Sequence, residues 1–225
     1  MLLNPKVGST AFRKILVEGL TQLNARPQLS RLWPINRTRR YTTAPIADYF
    51  YAFKHQTEFD FRCFVRNPYA RVLSAWNDKL VKGFNSASYP RSMRKLVPQL
   101  RLFAAEHDLP GTDESAPFPF SSFLSYIESQ PEGHRNQPWD TQRSVLLADH
   151  ITYRRVYHME TEFAEGMVQT LSLTGIPADW VKEKLRRPTN ASGRPSDPVY
   201  TETLAERVYQ IYAVDFARFG FDRDS

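Results

Sequence analysis

Two short stretches of the chain gather residues that bind anions. The first is Pro5-Lys-Val-Gly-Ser-Thr10. Gly8 lets a backbone approach closely, Ser9 and Thr10 bring hydroxyls and backbone N–H groups to a helix start, and Lys6 adds a charge. The loop is phosphate-binding in kind, with the N–H of Val7 among its backbone donors. It differs from a Walker A loop, since Gly-Lys-Ser/Thr is absent and the lysine precedes the glycine. The second stretch runs from Phe61 to Trp76 and holds Arg66 and Ser74. An arginine beside a helix N-terminus is well placed for an anion.

The elements that must position these residues are legible around them. Cys63-Phe-Val65 is too short for a helix and rich in strand formers. Asn67 is a good N-cap and Pro68 suits the first helical position. Tyr69, Val72, Leu73, Trp76 and Leu80 then recur at helical spacing, so Arg66 stands at a strand's carboxyl end and Ser74 two turns into the helix. The N-terminus repeats the layout. Met1–Asn4 reads as the tail of a strand, and Phe12, Ile15, Leu16, Leu20 and Leu23 line one face of the helix after the loop.

Taken together, the two stretches resemble the sulfotransferases that use 3′-phosphoadenosine-5′-phosphosulfate (PAPS), in particular the carbohydrate branch, family 2. The resemblance implies that Pro5–Thr10 holds the 5′-phosphosulfate, and that Val65–Ala75, through Arg66 and Ser74, holds the 3′-phosphate. Three later segments extend it. Trp139-Asp-Thr-Gln142 resembles a family segment read as His-Trp-x-Pro-Gln, with Pro138 and Thr141 in place of its histidine and proline. Asn190-Ala-Ser192 resembles a loop that closes over the nucleotide, which adds Asn190 and Ser192 to the donor-binding set. Tyr212 to Phe221 resembles the family's ending, Tyr-x-x-Asp-Phe-x-x-Phe-Gly-Tyr. Residues 24–47 and 84–137 carry no such pattern.

The implied reaction moves a sulfuryl group from PAPS to a hydroxyl of a carbohydrate or glycoconjugate, with adenosine 3′,5′-bisphosphate as the product. Lys6 and the N–H groups of Gly8 to Thr10 are suited to the charge on the leaving phosphate. The acceptor hydroxyl needs a base, and histidine fits. His55 is the expected base: it precedes the central strand, and some animal carbohydrate sulfotransferases have a histidine about there. Others place it nearer Asp48. Glu160 reads as a helix cap. No metal is expected, because His55, His107, His134, His150 and His158 show no ligand spacing with Cys63.

Composition bounds the rest. The 225 residues suit one domain, and a net charge of +6 favours an anionic partner: a nucleotide, a polyanionic glycan, nucleic acid or an acidic membrane surface. Cys63 is the single cysteine, so an intrachain disulfide is excluded, and core packing is its expected role. A signal peptide or long apolar run is not visible, which suits a cytoplasmic enzyme without an integral membrane segment. Two other readings stand beside the resemblance. A nucleotide phosphotransferase lacks its Walker lysine here, and a basic nucleic-acid-binding module lacks any named motif.

The expected fold is one α/β domain over residues 1–225, a central parallel sheet flanked by helices with a P-loop-like phosphosulfate loop. Strand–loop–helix units at 1–23, 61–80 and 151–173 support it. Helices are expected over 46–60, from Leu96 to Glu106, from Ser122 to Ser129 and from Tyr200 to Phe219, and Met159–Phe163 starts another. The proline-interrupted, basic stretch 84–137 reads as a substrate-side insertion or lid.

Overall fold

The computed structural model describes residues 6–23, 46–85, 93–186 and 200–223. The expected strand at Met1–Asn4, the basic run Arg37–Arg40, and Asn190 and Ser192 lie outside them. The chain packs as two interleaved compact units, residues 1–66 with 146–191 and residues 67–145 with 192–225, and the division falls between Arg66 and Asn67.

The first unit is mixed α/β. Its elements are α1 (Ser9–Gln22), α2 (Ile46–Lys54), a 3₁₀ turn (Gln56–Glu58) and β1 (Arg62–Val65), followed by β2 (Arg155–His158), α8 (Phe163–Ser172) and α9 (Ala178–Leu185). Among the described residues the sheet is β1 and β2, parallel, with Arg62 opposite Arg155 and Val65 opposite His158. Backbone bonds from Arg154 N–H to the Phe61 carbonyl (2.8 Å) and from Met159 N–H to the Val65 carbonyl (2.8 Å) extend the pairing at both ends. Because the strands are parallel, their carboxyl ends share one edge.

Alternation along the strands puts Phe64 and Tyr157 on one face, their rings stacked 5.2 Å apart. Val7, Phe12, Ile15, Met167 and Leu171 complete this core. Helix α8 reaches the sheet through Gly166, where a Cβ would lie 2.6 Å from Tyr157 and 2.7 Å from Phe64. Only glycine allows so close a contact. Cys63 is fully buried in β1, and burial pushes its thiol up to about 12, as suits a packing residue.

The second unit is helical: α3 (Pro68–Trp76), α4 (Lys82–Asn85), α5 (Met93–Glu106), α6 (Phe120–Glu128), α7 (Gln142–Val145) and α10 (Glu202–Phe219). Asn67 caps α3 as the sequence predicts, its Oδ1 accepting the Tyr69 N–H at 2.9 Å, with Pro68 in the first turn. A π-helical turn over Asn77–Val81 widens the helix after Trp76. The least periodic stretch of the sequence supplies much of this core: Leu96, Leu100 and Ala104 of α5 and Phe123, Leu124 and Ile127 of α6 are buried.

Several boundaries move. The helix expected over 46–60 ends at Lys54, and the one expected to start at Met159 starts at Phe163, after a turn in which Glu162 Oε2 accepts the His158 N–H at 2.8 Å. Among the described residues no helix is long and apolar enough to cross a membrane.

Candidate active site at the sheet's carboxyl edge

The loop before α1 has an unusual backbone. Lys6 and Gly8 both adopt left-handed conformations, with φ of 68° and 75°. Gly8 is needed for shape and space together, since a Cβ there would meet the Phe163 ring at 2.4 Å. No side chain caps α1. The first N–H groups of an α-helix have no intrahelical partner and, with the helix dipole, favour an anion. Ser9 is partly exposed and Thr10 exposed in that turn, whereas Val7 is buried in the core and anchors the loop.

Arg66 follows directly on β1. Its Nη1 donates to the Lys6 carbonyl at 3.2 Å, and its Nε lies 4.0 Å from Glu160 Oε1. Glu160 belongs to the turn after β2. The parallel register thus gathers one residue beyond each strand and the Lys6 loop at one edge, the usual ligand side of an open α/β sheet. Burial pulls the guanidinium's pKa down and the Glu160 charge opposes that shift, so the arginine stays charged. Glu160, expected as a cap, faces the arginine instead.

His55 is not brought to this edge. It follows α2, stacks on Tyr51 with ring centroids 4.2 Å apart, and places Nδ1 3.1 Å from Glu58 Oε1. The next residue, Gln56, donates to the His150 carbonyl (2.7 Å) and accepts the Thr152 N–H (2.9 Å), just before β2. Those bonds fix His55 near the amino ends of the strands, about 10 Å of strand length from the Lys6 loop at ~3.3 Å per residue. The helix expected to turn this imidazole toward the donor ends at Lys54, on the amino side of β1, and His55 is not beside the Lys6 loop. Asp48 lies exposed in the first turn of α2, where a carboxylate suits the helix dipole.

His158 does reach the carboxyl edge. It closes β2 opposite Val65, one residue before Arg66. His107 and His134 belong to the second unit, and His150 precedes β2 by several residues. The sequence marks His158 only as flanking a strand. The signal that finds it is the register, since a parallel pair ending at Val65 and His158 puts the histidine beside the arginine's strand.

In the second unit, Ser74 is buried on α3. Arg71, on the same helix, is buried and donates to the carbonyls of Asp140 (2.5 Å) and Gln137 (2.8 Å). Tyr212 donates to the Trp139 carbonyl at 2.6 Å, and Asp215 accepts the N–H groups of Gln142 (2.7 Å) and Arg143 (2.9 Å). Burial pushes the Asp215 carboxyl above its ordinary value, against those hydrogen bonds. The Trp139–Gln142 segment is thus clamped by α3 and α10. These side chains of Arg71, Tyr212 and Asp215 bind the segment through its backbone. Among the described residues no group of three or more His, Cys, Asp or Glu side chains clusters as a metal site would.

A helix start without a side-chain cap, a left-handed lysine loop and a partly buried arginine at the edge of a parallel sheet make an arrangement that suits an anion. The comparisons name the class. The Sulfotransferase family model matches residues 5–222, so the chain belongs to the sulfotransferase family. It is 28% identical over 169 residues to carbohydrate sulfotransferase 11 of Mus musculus, and equally to that of Rattus norvegicus. These alignments cover 70% of this chain and 46% of each relative, so the chain spans about half the length of the curated relatives it matches. No solved structure matches it.

Proposed function

We propose that the protein is a sulfotransferase that moves a sulfuryl group from PAPS to a hydroxyl of a carbohydrate. The observation that carries this reading is the bond from Arg66 to the Lys6 carbonyl, which joins the two motif segments at one sheet edge. Family membership supports the donor, and the printed name of the mouse and rat relatives supports the carbohydrate acceptor.

The residues present fit the donor. Gly8 keeps the loop's close approach clear of a side chain, α1 begins without a cap, and Lys6 stands three residues before its first turn. When bound, PAPS supplies a sulfuryl group carried on a phosphate leaving group. Lys6 and the first N–H groups of α1 neutralise the charge that builds on the leaving oxygen. Arg66 binds the donor's negative charge, and Ser74 keeps its resemblance-derived role at the 3′-phosphate. His158, at the edge that carries Lys6 and Arg66, takes the acceptor's proton. Asn190 and Ser192 retain a donor-closing role by resemblance alone.

The test is thermal. Adenosine 3′,5′-bisphosphate should raise the unfolding midpoint, because a ligand selective for the native state stabilises it by mass action. ATP with magnesium should do much less. Equal shifts from the two would favour a phosphotransferase and overturn the reading.

A further inference from the structure

We propose that Arg66 is a positioning residue for Lys6 as well as an anion contact: it holds the left-handed loop through the Lys6 carbonyl, and turnover depends on that hold. This deepens the sulfuryl-transfer reading and rests on it. Three observations carry the inference. Lys6 has φ of 68° without being glycine, a conformation that persists only where its surroundings impose it. Its neighbours in the loop are fixed by packing, Val7 by burial in the core and Gly8 by the Phe163 ring. The contact seen at the Lys6 backbone is a hydrogen bond, from Arg66 Nη1 to its carbonyl at 3.2 Å.

The arginine is itself held. Its side chain is 22% exposed, and its Nε faces Glu160 at 4.0 Å. That pair is long and half-exposed, so it orients the guanidinium more than it binds it. A guanidinium carries five N–H donors in one plane, so a single arginine can serve the Lys6 carbonyl, Glu160 and an anion together. A lysine cannot. An arginine acting only as an anion contact would set donor affinity. One that also positions Lys6 sets the rate, because the Lys6 charge is needed most as the leaving group departs.

A double-mutant cycle on the full chain separates the two. Arg66→Ala, Arg66→Lys, Lys6→Ala and the double variant Arg66→Ala/Lys6→Ala are compared for adenosine 3′,5′-bisphosphate affinity. They are also compared for turnover of labelled PAPS onto an unsulfated polysaccharide. Lys6→Ala should lower turnover by about 10²–10³, the usual loss for one charge-stabilising donor. Arg66→Ala should weaken affinity and lower turnover at saturating donor by about 10-fold or more, but by less than about 3-fold when Lys6 is already alanine, since residues acting through one contact are not additive. Arg66→Lys should recover affinity more than turnover.

A readout without donor supports the same point: the Lys6 carbonyl ¹³C signal should move in Arg66→Ala while the Phe163 ring signals stay. Equal losses in both backgrounds, or an unmoved Lys6 signal, would overturn the proposal. Unfolding midpoints identify a variant that has failed to fold, and the retained charge of Arg66→Lys keeps the comparison decisive in that case. A wild-type protein that binds neither PAPS nor its product would take down the sulfotransferase reading itself, and it is recognised before any variant is made.

Discussion

The two ends of the parallel sheet in the first unit both carry charged and aromatic clusters, yet they are built differently. At the amino end, Arg62 forms a two-pronged pair with Asp60 (2.9 and 2.8 Å) and also donates to Tyr157 at 3.0 Å. His55 pairs with Glu58, and Gln56 ties the turn to the backbone before β2. These are side chains closing on one another. At the carboxyl end, Arg66 donates to a loop carbonyl and lies 4.0 Å from a carboxylate, and the helix beside it starts at a glycine that offers no side-chain cap. One end closes its polar side chains on one another, while the other sets a guanidinium beside a helix start, an arrangement that suits an anion. Similar residue types therefore do different work, and the strand direction decides which.

The sharpest way to break this comparison is to remove a histidine from each end. His158→Ala should cost about 10²–10⁴-fold in rate, the usual worth of a general base. It should leave adenosine 3′,5′-bisphosphate affinity nearly unchanged. His55→Ala should change the rate by only a few-fold, since the contact with Glu58 that it breaks is exposed. The reverse pattern would move the chemistry to the amino end.

A smaller effect is expected at Gly8. Gly8→Ala introduces a Cβ 2.4 Å from Phe163 at a φ of 75°. The strain, about 1–3 kcal/mol, should appear as weaker donor affinity and a lower unfolding midpoint together. Unchanged affinity would show that the loop is not the anion site.

Local signals and the parallel pairing of the sheet were readable from the sequence, and the placing of residues at one end of the sheet or the other was not. The strand–turn–helix at 62–76 was legible because Asn67 and Pro68 act on their own neighbours. Helix α10 was legible because Val208, Tyr212 and Phe216 repeat on one face and Gly220 ends it in a left-handed turn. The α5 and α6 helices were blurred by prolines that usually break helices. Pro98 lies inside α5, and Pro119 occupies the N-cap of α6, where its missing N–H costs little. The interleaving of two units was invisible, since each is assembled from two separated stretches. The position of His55 was illegible for a related reason. Distance along the chain before β1 does not say at which end of the sheet a residue lies, and only the bonds of Gln56 to residues 150 and 152 settle it for His55.

The smallest expected effect concerns the carboxylates, and it tests whether the amino end is structural. Hydrogen bonding to Arg62 holds Asp60 below its ordinary 3.8, with burial opposing. A carboxyl lowered on folding contributes stability that is present above its unfolded value and lost as pH falls through the folded one. Asp60 should therefore titrate below 3.8 by carboxyl ¹³C shift, and Arg62→Met should return it toward that value. Asp215 of the second unit is the control of opposite sign. Burial raises it, so the folded state holds the proton more tightly, and stability falls as pH rises from 3.8 through its folded value. Asp215→Asn should remove that falling limb while Asp60→Asn removes the rising one. Were Asp60 to titrate at its ordinary value, the Asp60–Arg62 pair would be a surface contact without structural weight. The amino end would then be as open to a ligand as the carboxyl end, and the comparison that assigns the chemistry to one edge would lose its basis.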